Sequence, residues 1–307
     1  MKMTPWLRRL LPAVIALMLI APVTSAQSIE PIEQAADFMS VVGTDRLNLR
    51  DCPETACDTL ATLPLGAELR ITGQAVGGFV PAEWQGTSGW AYRTFLAPEA
   101  QVDLIRQGVP GCNRVAIIFN AGIGERPSES ILDTLVSTQQ PATLFAMGWW
   151  AETYPDYLQR MASEANVAIG THGHTQTMLT GATDSEIVAE VHNSAGSIER
   201  VLGYPPERYY TPYATDSDAR VQRVIAAEGY LPVGWTVAGA DYHDDDTAQG
   251  VYERVMNGAT DGAIIELHLD GPATEQSTAE ALPWIISNLE AEGYELVTLP
   301  EILLPCD

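Results

Sequence analysis

The sequence predicts an α/β domain built on a buried parallel sheet, preceded by a small all-β barrel. Three observations carry this expectation. Val115-Ala116-Ile117-Ile118-Phe119 is an unbroken apolar run ending in the small, glycine-rich loop Asn120-Ala121-Gly122-Ile123-Gly124, as a strand buried on both faces does. Ala142 to Gly148 is a second such run, and Ser130 to Thr138 between them carries apolar residues at helical spacing, so the unit is β-α-β. The alternation then continues to the C-terminus, which means a parallel sheet or a barrel, whereas residues 41–98 show only short alternating stretches broken by turn residues.

Taken in order, the chain begins with a basic n-region (Lys2, Arg8, Arg9), an apolar run from Leu10 to Val23 and a small-residue site at Thr24-Ser25-Ala26. This is the pattern of an export signal over residues 1–26. The apolar run is short for a membrane span. No cysteine follows the site to take a lipid anchor. The expected mature protein is therefore secreted, periplasmic or held in the cell envelope, with no membrane attachment after cleavage near Ala26. Residues 27–40 read as an acidic lead-in without structure.

Residues 41–98 carry expected strands at 47–50, 60–63, 68–72 and 89–92, separated by turn residues at Asp51-Cys52-Pro53, Pro64-Leu65-Gly66 and Gly77-Gly78. A linker over 99–110 leads to the main domain, 111–307. Its expected strands lie at 115–119, 142–147, 166–170, 208–211, 233–237, 263–268 and 295–299. Its expected helices lie at 128–139, 150–165, 184–202, 217–228, 248–258 and 275–292. Rhythm alone does not distinguish a closed barrel from an open sheet.

The formal net charge is −24, and removing residues 1–26 takes away three basic residues, the chain's single lysine among them, and no acidic one. Such a chain does not bind nucleic acid or an anionic membrane by bulk electrostatics, and a neutral glycan or a cationic partner fits it better. Four cysteines in an exported chain favour disulfides. Cys52–Cys57 would staple a loop and Cys112–Cys306 would tie the ends of the larger domain, which is the preferred of three pairings. A zinc site would need paired short spacings that these cysteines lack.

Two resemblances follow from particular residues. Leu47-Asn48-Leu49-Arg50, Leu63-Pro64-Leu65-Gly66, Glu83-Trp84 and Gly89-Trp90-Ala91 resemble a bacterial SH3-type domain, a kind that accompanies envelope-acting proteins and in some cases binds wall peptides. Ala142-Thr143-Leu144-Phe145, Gly148-Trp149-Trp150-Ala151-Glu152, Ile169-Gly170-Thr171-His172, Gly262 to His268 and Gly293 to Leu299 resemble the polysaccharide deacetylase (NodB homology) family. That resemblance implies a distorted (β/α) barrel with its site at the strand C-termini. It also implies an activity, the removal of acetyl groups from N-acetylated sugars with a divalent metal.

Carried over residue by residue, the family pattern puts Asn120 where the general base aspartate stands and Ala121 where the metal-binding aspartate stands. His172 takes the first metal histidine and Gln176 the second. Tyr210-Thr211-Pro212-Tyr213-Ala214 takes the third motif without its arginine, Asp241-Tyr242 the pair that tunes the acid, and His268 the general acid. Asn120 cannot take a proton near neutral pH, Ala121 cannot ligate, and one imidazole with an amide is a poor set for zinc. No cofactor is expected.

Two rescues are open: His172 with His174, which share a side if extended, and a hard cation among His243 and Asp244-Asp245-Asp246. His192 reads as a surface residue. Trp149, Trp150, Tyr209, Tyr210 and Tyr213 offer stacking surfaces for sugar rings, of which Trp149, Tyr210 and Tyr213 are the candidates for substrate binding. The sequence thus points to an envelope protein that binds glycan or peptidoglycan and is catalytically impaired or inactive. The alternative is an active hydrolase of C–N amide bonds in N-acetylated sugars, working through an altered zinc or other divalent-metal site.

Overall fold

The computed structural model describes residues 38–97, 103–124 and 126–306. The expected signal peptide and most of the lead-in lie outside the described residues. Among the described residues, no helix is long and apolar enough to cross a membrane.

The first seven strands are β1 (Phe38–Val41), β2 (Arg46–Arg50), β3 (Thr59–Pro64), β4 (Glu68–Ile71), β5 (Phe79–Trp84), β6 (Thr87–Tyr92) and β7 (Leu96–Ala97). They form an antiparallel sheet in the order β3-β2-β6-β5-β4-β1-β7. Alternation sets each strand's faces: in β2, Leu47 and Leu49 are buried while Arg46, Asn48 and Arg50 are not. Gln85 and Gly86 both have positive φ, the two-residue turn whose twist suits the β5–β6 hairpin. The unstructured lead-in expected to residue 40 ends earlier, because Phe38–Val41 pairs with both β4 and β7.

The larger part alternates as the sequence predicts. Its elements are β8 (Arg114–Ala121), α1 (Glu129–Thr138), β9 (Ala142–Ala146), α2 (Gly148–Thr153), α3 (Pro155–Glu164), β10 (Val167–Thr171), α4 (Asp184–Leu202), β11 (Tyr209–Tyr210) and α5 (Ala219–Ala227). They continue with β12 (Leu231–Pro232), β13 (Val237–Ala238), α6 (Ala248–Gly258), β14 (Ile264–His268), α7 (Thr278–Ala291), β15 (Glu295–Leu296) and α8 (Leu299–Ile302). The parallel strands run β12-β11-β10-β9-β8-β14-β13, with β15 also pairing β8, and curl into a distorted, open (β/α) barrel.

Three expected elements change. The helix over 150–165 is two helices, because Tyr154 leaves helical geometry and Pro155 opens α3. The strand over 233–237 gives way to two short ones, Leu231–Pro232 just before it and Val237–Ala238 starting at its last residue. The last strand stops at Leu296, because Thr298-Leu299-Pro300-Glu301 is a capping box with proline in the first turn and starts α8.

The period of two along β8 sorts the core. Val115, Ile117, Phe119 and Ala121 pack with residues of the surrounding helices. Ala116 and Ile118 face the other way, and together with Ile264 they join a cluster that runs on into Leu49, Leu63, Leu69 and Phe79 of the antiparallel sheet. The stretch expected as a linker is, in its described part, laid along this junction: Ile105 bridges Val233 and Gln107 bridges Ala263. Gly43, at φ +68, donates its N–H to Gly229 O and leaves no room for a β-carbon beside Leu231. Disulfides join Cys52 to Cys57 and Cys112 to Cys306.

Candidate functional site

The site lies at the C-terminal ends of β8, β10, β11, β13 and β14, where parallel α/β folds collect their chemistry. β8 and β14 are in register with His268 beside Asn120 and Glu266 beside Ile118. The alternation that sends Ala116, Ile118 and Ile264 to one face therefore sends Asn120, Glu266 and His268 to the same face.

From these ends a chain of polar contacts crosses the barrel mouth. His172 Nδ1 lies 2.8 Å from Thr211 O, and since a carbonyl only accepts, that nitrogen carries the proton. Thr211 Oγ1 donates to Asn120 Oδ1 (3.0 Å), which turns Asn120 Nδ2 toward Glu266 Oε1 (3.2 Å). Glu266 Oε1 is also 3.0 Å from His268 Nε2, an ion-pair contact. The ring's other nitrogen, Nδ1, donates to Asp241 Oδ1 (2.8 Å). Asp241 Oδ2 accepts from His268 N (2.9 Å) and from the hydroxyl of Thr278, the first residue of α7. Asn120, Thr211, Asp241, Glu266, His268 and Thr278 are all buried.

The charges follow from this arrangement. Burial opposes the charged ring of His268, but the attraction of Glu266 and Asp241 and the Asp241 hydrogen bond outweigh it and raise its pKa to about 9. Burial pushes the Glu266 carboxyl up to about 6, against the pull of His268. Asp241 is buried too, yet His268 and the hydrogen bonds from His268 and Thr278 hold it below the usual range. At neutral pH this corner is an imidazolium between two carboxylates. His172 is the opposite case: burial lowers it to about 3, so its ring is neutral.

The residues at the family's metal positions do other work. Ala121 is fully buried among apolar neighbours. Gln176 turns its Nε2 to Gly122 O (2.6 Å) and Ile123 O (3.0 Å). The N–H groups of the same loop go to Asp270, at 2.9 Å from Gly122 and 3.4 Å from Ile123. Gly122 itself, at φ +135, has no space for a β-carbon, which would fall 2.5 Å from Met147 Sδ. The loop is thus braced on both sides, and the family's three ligand positions supply one imidazole. That donor set does not fit a tightly held divalent ion.

Neither rescue is built. Gly173, at φ +85, turns the chain so that His172 and His174 part company, and the His174 ring packs over Gly148. Asp246 accepts from His243 N and pairs with Arg254, so the Asp244-Asp245-Asp246 run forms no ligand cluster among the described residues. His192 is an exposed partner of Glu228 (2.6 Å). Tyr210, expected to stack on sugar, is buried with Leu179, Ile187 and Val221 and carries no binding face; Tyr209 and Trp150 are equally buried. Tyr213, half-buried, stands edge-on to His172 (6.1 Å between rings), and Trp149 is half-buried with its Nε1 toward Met147 Sδ. Tyr242, 46% exposed, stands edge-on to His268 at 5.7 Å.

Glu266 and Asp270 carry no role in the sequence reading. The signal for Glu266 is visible in retrospect: a single carboxylate inside the apolar run Ala263 to Leu269, two residues before the histidine and so on its face.

Residues 107–233 match the family described as polysaccharide deacetylase. The chain is 29% identical over 194 residues to the peptidoglycan-N-acetylmuramic acid deacetylase PdaC of Bacillus subtilis, covering 63% of this chain and 39% of that protein. It is 28% identical over 190 residues to the peptidoglycan-N-acetylglucosamine deacetylase PgdA of Listeria monocytogenes, covering 62% and 38%. The chain thus spans about two fifths of the length of these curated relatives. A solved family 4 carbohydrate esterase pseudoenzyme from Bacillus anthracis superposes with a TM-score of 0.62 over 86% of this chain and 92% of that one, at 17% identity, a likeness of fold.

Proposed function

We propose that this protein is a glycan-binding relative of the envelope polysaccharide deacetylases in which metal-dependent removal of N-acetyl groups is lost. The observation that carries the reading is the metal corner. Asn120, Ala121 and Gln176 replace the base and two ligands, and Gln176 is spent on bracing the 122–124 loop. In the family's chemistry a metal polarises the carbonyl and sharpens its water, and a carboxylate takes the proton. Neither group has a residue here at the family's position.

The ligand class comes from the relatives named above, which act on peptidoglycan, and from the strongly acidic chain, which disfavours nucleic acid. Tyr213 and Tyr242 flank the two histidines at the mouth and offer apolar faces to a sugar ring. Export to the envelope, through the signal at residues 1–26, places the protein beside such polymers.

The test is retention of the purified 27–307 protein on insoluble peptidoglycan and on immobilised N-acetylglucosamine oligomers, with acetate measured in the same samples. Retention that weakens in Tyr213→Ala and Tyr242→Ala, without acetate release from the N-acetylglucosamine oligomers, supports the reading. Catalytic acetate release that disappears in His172→Ala overturns it.

A further inference from the structure

We propose that Glu266 is the proton acceptor of this site and that, with His268, it forms a metal-independent acid–base pair suited to the hydrolysis of acetyl esters on a glycan. This goes beyond the glycan-binding reading and rests on it only for the kind of molecule that carries the ester.

Three features of the geometry lead here. First, the carboxylate missing at position 120 is present one strand away: Glu266 stands on the same face as Asn120 and His268, and Asn120 Nδ2 holds its Oε1 at 3.2 Å. Second, among the described residues Glu266 Oε2 accepts no hydrogen bond, so one oxygen is fixed and the other is free to meet a water. Third, His268 is anchored through Nδ1 and its backbone N–H to Asp241, itself fixed by Thr278. This leaves Nε2, 3.0 Å from Glu266 Oε1, as the ring nitrogen that Asp241 does not hold. A buried carboxylate is costly unless it is held like this, and an apolar residue at 266 would serve packing as well.

The step balances without a further reagent. Glu266 Oε2 takes a proton from water as the water oxygen bonds to the acetyl carbonyl carbon, and the carbonyl electron pair moves to oxygen beside the imidazolium. On collapse the bond between that carbon and the sugar oxygen breaks, and His268 Nε2 gives its proton to the departing oxygen. Glu266 then returns its proton to the neutral imidazole, whose Nε2 stands 3.0 Å from the carboxyl's other oxygen, Oε1, once the carboxyl has passed the proton back through solvent. One water and one ester yield one hydroxyl and acetic acid. An amide would need a stronger push on its carbonyl, which in this family falls to a metal ion. The ester is the bond within reach of a proton-transfer pair alone.

The charged groups facing the pair are Asp241 and Asp270 against His268, Asp241 against Glu266, and His172, which is neutral. Glu266 loses its proton near pH 6 and His268 near pH 9, so base and acid are both in their working forms between those limits.

The experiment uses the EDTA-treated 27–307 protein and p-nitrophenyl acetate, a small ester that requires no glycan recognition, followed by acetate release from O-acetylated peptidoglycan. Expected are turnover that survives EDTA, a bell-shaped pH profile with limbs near 6 and 9, and a loss of about 100-fold or more in Glu266→Gln. His192→Ala, a surface change, keeps the rate. Glu266→Asp, which keeps the charge but draws it back by one carbon, is a second variant should the glutamine fail to fold. It is expected to lose rate while keeping the acid limb. No turnover by the folded wild type, turnover abolished by EDTA, a profile without the acid limb, or an unchanged rate in Glu266→Gln each overturns the proposal. Glycan retention is read separately, so failure of the ester chemistry is distinct from failure of glycan binding.

Discussion

The two sides of the barrel mouth have diverged in opposite directions. On the side of β10, Ala121, His172 and Gln176 form a neutral corner in which every polar atom named above answers a backbone group. On the side of β14, Asp241, Glu266 and His268 form a charged corner with two buried carboxylates around one imidazolium. Ala121 and His172 are as buried as Asp241, Glu266 and His268, and only Gln176 is exposed, so exposure does not explain the contrast between the buried groups. Partnership does. A charge persists in a protein interior only where another charge or several donors hold it. Thr278 and the His268 backbone supply those donors on one side, while the other side retains only groups that need no charge.

Breaking the charged corner has the largest expected effect. Asp241→Asn removes the partner of a buried imidazolium and should cost about 3–5 kcal/mol in urea unfolding. The two corners also differ in their pH response. His268 is raised from 6.5 to about 9, so its contribution is complete below pH 6.5 and is lost as pH rises through about 9. His172 is lowered from 6.5 to about 3, so its effect is lost stability as pH falls from 6.5 toward 3. Glu266 and Asp270, both raised to about 6, oppose that acid loss, since their folded forms bind protons more readily than their unfolded ones. The alkaline limb is therefore the cleaner comparison, and urea midpoints between pH 7 and 10 should fall in the wild type.

Breaking the neutral corner should matter less. Gln176→Ala removes two hydrogen bonds from the braced loop, one half-buried and one exposed, for about 1 kcal/mol by the same unfolding assay. The smallest effect concerns the turn between the corners. Ala214 follows Tyr213 at φ 51, a left-handed conformation that glycine adopts freely. Ala214→Gly should gain about 0.5 kcal/mol in thermal unfolding, the relief of strain less the added freedom of the unfolded chain.

The elements that sequence shows most clearly are those with local signals. α4 begins at Thr183 with a capping box closed by Glu186, and α6 begins at Thr247, whose hydroxyl accepts from Gly250. β8 and β9 are long apolar runs bounded by small residues. What stayed hidden depends on partners far along the chain. The split of strand 233–237 follows from pairing with β11 on one side and β14 on the other. The burial of Tyr210 follows from α4 and α5 closing over it, since residue type does not separate an aromatic platform from an aromatic core. Glu266 meets Asn120 only across 146 positions of sequence, and the register of β8 against β14 creates the pair.

Zinc titration by calorimetry, on the 27–307 protein and on the double variant Ala121→Asp with Gln176→His, tests the contrast between the corners most directly. The neutral-corner account predicts no saturable one-to-one binding to the wild type and a new site in the double variant. One tightly bound zinc in the wild type, lost in His172→Ala and kept in Glu266→Gln, would contradict it.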